Sequence, residues 1–175
     1  ARLKYAPPVR IPQDKRIPFN WGAIPVSPSG TNTATLLQWE GIQSQLRYTH
    51  FRITIAMDIR EEKRVEVFLP DSEKRIGLLD IRYGYVLQPF ELKLETDDID
   101  NIIREGIGLR MIEGVEPLWI FYDDGENKRI DPALLPHLLT ADEETPLQSF
   151  HKRMLSMASI QPFGWMEGCV LDGLM

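Results

Sequence analysis

Apolar and polar residues alternate most regularly between positions 51 and 60, where Phe51, Ile53, Ile55, Met57 and Ile59 are separated by Arg52, Thr54, Ala56, Asp58 and Arg60. A period of two over this length predicts a strand with one buried and one wet face. The charged run 60–64 turns the chain, and Val65, Val67 and Leu69 resume the alternation as far as Pro70. The two stretches together predict a β-hairpin. Leu79, Ile81, Tyr83, Tyr85 and Leu87 predict a further strand over 77–87, ended by Pro89, after which Phe90, Leu92 and Leu94 alternate with Glu91, Lys93 and Glu95. Residues 118–122, Leu-Trp-Ile-Phe-Tyr, form a nearly continuous apolar run of the kind found in central strands.

Helical spacing is rarer. Thr96, Asp97 and Asp98 are N-cap candidates for a helix whose apolar stripe is Ile99, Ile102, Ile103 and Ile107, weakened or ended by Gly106 and Gly108. Asp131 before Pro132 predicts a short helix ending near Pro136. Thr145-Pro146-Leu147-Gln148 is a capping box, and Leu147, Phe150, Met154, Leu155 and Ala158 follow it at helical spacing. Residues 31–46 read either way: Thr33 could cap a helix carrying Leu36, Leu37 and Trp39, while Gly41 and the threonines favour a strand. The expected class is α+β, a largely antiparallel sheet with two or three helices, built as one domain over residues 31–175.

Residues 1–30 break these patterns. Six of the thirteen prolines lie there, so neither a helix nor a central strand is expected, because each proline lacks an N–H and fixes φ. The segment carries +4 (Arg2, Lys4, Arg10, Lys15 and Arg16 against Asp14), which leaves −10 on the rest of a chain whose net charge is −6. An extended basic arm beside an acidic body is expected to lie on an acidic surface, such as that of a neighbouring copy. The same imbalance argues against a body that grips nucleic acid broadly. The single cysteine, Cys169, excludes an internal disulfide framework and fits a reducing compartment or a particle-associated protein. No run approaches the roughly 20 apolar residues that span a bilayer.

Chemistry-bearing residues are sparse. His50, His137 and His151 show no metal-ligand spacing, and no phosphate loop, nucleophile elbow or dinucleotide fingerprint is present. Asp123, Asp124 and Glu126 could hold Ca²⁺ but read first as a tight turn. Asp80, at the end of one strand, and Glu91-Leu92-Lys93 on the next resemble the PD-(D/E)xK nuclease pattern over roughly residues 36–122. The resemblance implies that Asp80 and Glu91 bind Mg²⁺ and that Lys93 positions or activates the attacking water, with Asp71 or Glu40 as alternative carboxylates. Four further stretches, YAPP (5–8), QLRYTHFRITIAMDIR (45–60), YDD (122–124) and VLD (170–172), resemble in order the matrix proteins of vesicular-stomatitis-type rhabdoviruses. That likeness implies a viral structural protein and transfers no residue role.

The leading expectation is a non-enzymatic structural or assembly subunit of a larger complex, with no cofactor. Its arm would dock on protein partners or copies of itself through Arg2, Lys4, Tyr5, Arg10, Lys15, Arg16, Phe19 and Trp21, the last as an interface anchor. The alternatives are a Mg²⁺-dependent nuclease, which would bring in nucleic acid as partner, and a domain that packs against the catalytic part of a larger enzyme.

Overall fold

In the computed structural model, which describes residues 1–31, 33–41, 47–123 and 130–141, the alternation at 51–60 becomes a strand that stops earlier than its pattern. The strands in chain order are β1 (Arg2–Tyr5), β2 (Ala23–Val26), β3 (Thr35–Gln38), β4 (Tyr48–Thr54), β5 (Glu62–Phe68), β6 (Arg75–Arg82), β7 (Pro89–Lys93), β8 (Ile107–Glu113), β9 (Leu118–Phe121) and β10 (His137–Thr140). A 3₁₀ turn, Thr96–Asp98, leads into the helix α1 (Ile99–Glu105), and further 3₁₀ turns cover Pro18–Asn20 and Pro132–Leu134.

Five strands pair in the order β1-β3-β8-β5-β6, three in the order β10-β4-β7, and β2 pairs with β9, every pairing antiparallel. Just past β4, Ile55 bridges Ile120, and the Ala56 amide donates to the Trp119 carbonyl at 2.8 Å. These contacts join the β2–β9 ribbon to the three-stranded sheet as one layer. Leu37, Val65, Val67, Leu79, Ile81, Ile107 and Leu109 of the larger sheet share a single core cluster with Val26, Phe51, Ile53, Leu118 and Ile120 of the other layer. The result is a two-layer β-sandwich. Leu94, Ile99 and Ile102 bring α1 onto the same cluster.

The expected α+β class is therefore corrected: regular structure among the described residues is predominantly antiparallel strand, with one α-helix in place of two or three. Residues 31–46 supply β3, not a helix, because Thr35 and Leu37 face the core while β8 offers Thr35 and Leu37 partners in Leu109 and Ile107. The predicted helix at 131–136 is only a 3₁₀ turn, in which the Asp131 side chain accepts from the Ala133 amide. The predicted helix over 145–158 lies outside the described residues.

The helix stripe extended to Ile107 conceals β8. Ile107, Leu109 and Met111 are buried at every second position, and the strand sits between β3 and β5. Gly106 makes the switch from helix to strand: its φ is +86°, and a Cβ there would lie 2.1 Å from the Leu37 carbonyl oxygen. Only glycine fits both demands.

Residues 1–141 belong to one compact unit. Within it the proline-rich segment contributes β1 at the edge of the five-stranded sheet and β2 beside β9. Pro25 sits in β2, where its missing N–H is tolerated because the ribbon has only two strands.

Candidate functional site

On β9, Leu118 and Ile120 point into the main core, while Trp119 and Phe121 point to the opposite face. That outer apolar face is covered by the arm. Ile17 is buried on it, and Val9 and Trp21 pack beside Ile17, together with Met57, Val86 and Leu87 from the β4–β5 and β6–β7 loops. The ring of Trp21 meets Phe121 edge-on at 5.7 Å and Phe19 at 4.8 Å. Charge also ties the arm down, with Arg2 on Glu40 and Lys15 on Glu116 at 2.9 Å. Lys4, Arg10 and Arg16 have no ion pair among the described residues.

Exposure of apolar side chains is concentrated next to this cluster. Phe19 is 76% exposed, and it and Asn20 both hold φ near +56°. Tyr83 and Tyr85 are also exposed on the β6–β7 loop, where Tyr83 and Leu87 again have positive φ. Bulky residues adopt that region rarely, at about 1–3 kcal/mol each. On the β8–β9 loop Val115 is 81% exposed.

Beneath these loops lies a polar knot built on Lys63. Its side chain follows the inward parity of Val65 and Val67 and is only 2% exposed. The Lys63 ammonium donates to the Glu61 carboxylate and to the Glu116 carbonyl oxygen. Glu61 also accepts from the amides of Val115 at 3.2 Å and Glu116 at 2.9 Å. Burial alone would raise the Glu61 carboxyl, but the hydrogen bonds from Lys63, Glu116 and Val115 and the Lys63 charge hold its pKa below the ordinary value. The knot ties the β8–β9 loop to the start of β5. Lys63 was hidden in the charged run 60–64, although period-two counting back from Val65 marks it as inward.

The residues of the nuclease pattern do not converge. Asp80 lies between the buried Leu79 and Ile81, so it faces outward from the five-stranded sheet. It is engaged by Arg82 at 2.9 Å, which, through that hydrogen bond first, lowers its pKa. On β7, Leu92 faces inward, since a Cβ on Gly77 would lie 2.4 Å from its Cδ1. Glu91 and Lys93 consequently point outward from the other layer, and Glu91 is paired with Arg52. Asp80 and Glu91 are thus on opposite outer faces of the sandwich. Glu40 is held by Arg2, and Asp71 lies in the β5–β6 turn, where its amide donates to Glu105 at 2.7 Å. Among the described residues no three His, Cys, Asp or Glu side chains are grouped to hold a metal ion. Asp124 and Glu126 lie outside the described residues. No helix among the described residues is long and apolar enough to cross a membrane.

No protein-family model matches the chain, and no curated protein or solved structure matches it. Geometry and chemistry therefore carry the functional reading.

One titrating group stands out. His137 on β10 is in register with Arg52 on β4, which is in turn in register with Glu91 on β7. Desolvation chiefly lowers the His137 pKa, helped by the charges of Arg52 and the N-terminus and opposed by its hydrogen bond to the Leu135 carbonyl and by Glu91. A base whose folded pKa is depressed takes up its proton more readily when unfolded. Its stabilisation is complete above the unfolded value near 6.5 and falls away as the pH drops toward the folded pKa. Urea midpoints are expected to decline between pH 7.5 and pH 5, and His137→Gln should flatten that decline. An identical slope in the variant would remove His137 as its source.

Proposed function

We propose that the chain is a non-catalytic assembly subunit that docks on copies of itself through the outer surface of its N-terminal arm. The observation that carries this reading is Phe19, an aromatic side chain 76% exposed on a residue held at φ +56°. Such a conformation lowers the stability of the free subunit, and apart from its contact with Trp21 the apolar ring is displayed to water. A ring of this kind gains its burial in a partner, as interface aromatics do. Copies of this chain suit the role because Lys4, Arg10 and Arg16 have no ion pair among the described residues, on the arm of a protein whose remaining residues sum to −10. Asp80 and Glu91 face apart on the described sheets, which favours assembly over the nuclease reading.

Phe19→Gly separates assembly from folding. Glycine adopts positive φ freely, so the thermal midpoint of the dilute chain should stay or rise, by up to about 1 kcal/mol of stability. Mass from light scattering across concentration should at the same time fall to that of the monomer. A wild-type chain that remains monomeric throughout, or an assembly indifferent to Phe19→Gly, would overturn the reading.

A further inference from the structure

We propose that the cleft between the arm and the β4–β5 and β8–β9 loops is a binding site for a carboxylate group. The cleft has a volume of about 100 Å³ and is lined on the arm side by Pro12 and Lys15 and on the body side by Arg60, Lys63, Glu116 and Trp119. That space suits a carboxylate with a short apolar stem, and is too small for a nucleotide or a sugar chain.

Its polarity follows from which hydrogen-bonding groups are already used. Every acid lining the cleft has a donor: Glu61 takes Lys63 and two amides, Asp58 takes the Val86 amide at 2.8 Å, and Glu116 takes Lys15. The donors are not used up. An ammonium carries three N–H groups, and Lys63 gives two of them to Glu61 and the Glu116 carbonyl. Arg60, with five N–H donors on a planar fork, has no hydrogen-bond or ion-pair partner among the described residues. An incoming group that only accepts is what this arrangement lacks, and a guanidinium matches a carboxylate with two parallel bonds. Pro12 and Trp119 give the apolar stem a wall to pack against. Lys15, pinned to Glu116 across the rim, makes the arm itself part of the site.

The carboxylate could belong to a free small acid or to an acidic side chain of a docked polypeptide, and the experiment distinguishes them. The full chain, ¹⁵N-labelled, is titrated with sodium propionate against sodium chloride at equal ionic strength, and separately with acetyl-Ala-Glu-Ala-amide against its Gln counterpart. Amide shifts confined to residues 13–16, 57–63 and 115–119 are expected, saturating in the millimolar range usual for so few contacting atoms. Arg60→Gln, a change at an exposed position, should weaken binding by about tenfold with the rest of the spectrum unchanged. Saturation by propionate alone identifies a small free acid, and saturation by the Glu peptide alone or by both admits a side chain. If neither ligand shifts these amides beyond chloride, or if Arg60→Gln binds as well as wild type, the site does not exist.

Discussion

Deleting residues 1–28 is expected to abolish cooperative unfolding, leaving a chain that is collapsed or aggregated and not a shortened domain. The deletion removes β1 and β2 and with them Ile17, Ile24 and Val26, all buried. Burying an aliphatic side chain of this size is worth about 1.5–3 kcal/mol, so the three together account for roughly 4.5–9 kcal/mol. Total stabilities of natural domains are about 5–15 kcal/mol. The loss is compounded on the body, since Trp119 and Phe121 would face water and Thr35, buried in β3, would lose the Pro25 carbonyl that its hydroxyl meets at 2.6 Å. Circular dichroism melts and urea titrations of the two chains check this. A truncated chain with a sigmoidal transition at the wild-type midpoint would show that residues 1–28 are an appendage after all.

That expectation reverses the one drawn from composition, and the reason is physical. Proline content states where hydrogen-bonded ladders are weak, but it says nothing of what apolar side chains between the prolines will cover. Ile17 and Trp21 sit in a proline-rich context and still bury against β9. The basic charges gave a partial guide: Lys15 and Arg2 do meet acids, Glu116 and Glu40, within the same chain. The arm's place on the body is therefore explained without a neighbour, and what supports assembly is its exposed, conformationally strained ring.

Alternation was the most legible signal. It placed β4, β5, β6 and β7, and the apolar run placed β9, because a strand half in and half out of a core must alternate. The expected β4–β5 hairpin is wrong: β4 pairs with β10 and β7, and β5 with β6 and β8 in the other sheet. Alternation overran past the end of β6, where Tyr83 and Tyr85 continue the pattern in sequence but leave the sheet as an exposed loop. β8 was lost because Ile107 completes a period of 3.6 with Ile99 and Ile103 as well as a period of two with Leu109. The cleft was not legible at all. Its walls come from three segments far apart in sequence, 12–15, 57–63 and 116–119, and Lys63 alone carried a local hint, through the parity it shares with Val65.

Lys63→Met is expected to lower the thermal midpoint by roughly 6–12 °C, corresponding to about 3 kcal/mol for a unit of this length. Methionine fills the space of the lysine stem between Gly114 and the core, so lost packing contributes little. What remains is a Glu61 carboxylate without its cation and a Glu116 carbonyl without its donor. The figure is placed at the lower end for a broken buried pair because the Glu61 side chain keeps 27% of its exposure. Two controls separate charge from packing. Adding Glu61→Gln to Lys63→Met should restore more than half of the loss, since the amide oxygen still accepts from Val115 and Glu116 while carrying no charge. The pH dependence should change as well: a carboxyl whose folded pKa is depressed gives stability present above its unfolded value and lost as the pH falls through the folded one. Wild type should therefore lose stability as the pH falls below about 4.5, and Lys63→Met should do so less steeply, because only the Val115 and Glu116 amides then hold the Glu61 proton off. A Lys63→Met midpoint within about 2 °C of wild type would mean that the knot does not tie the β8–β9 loop to β5.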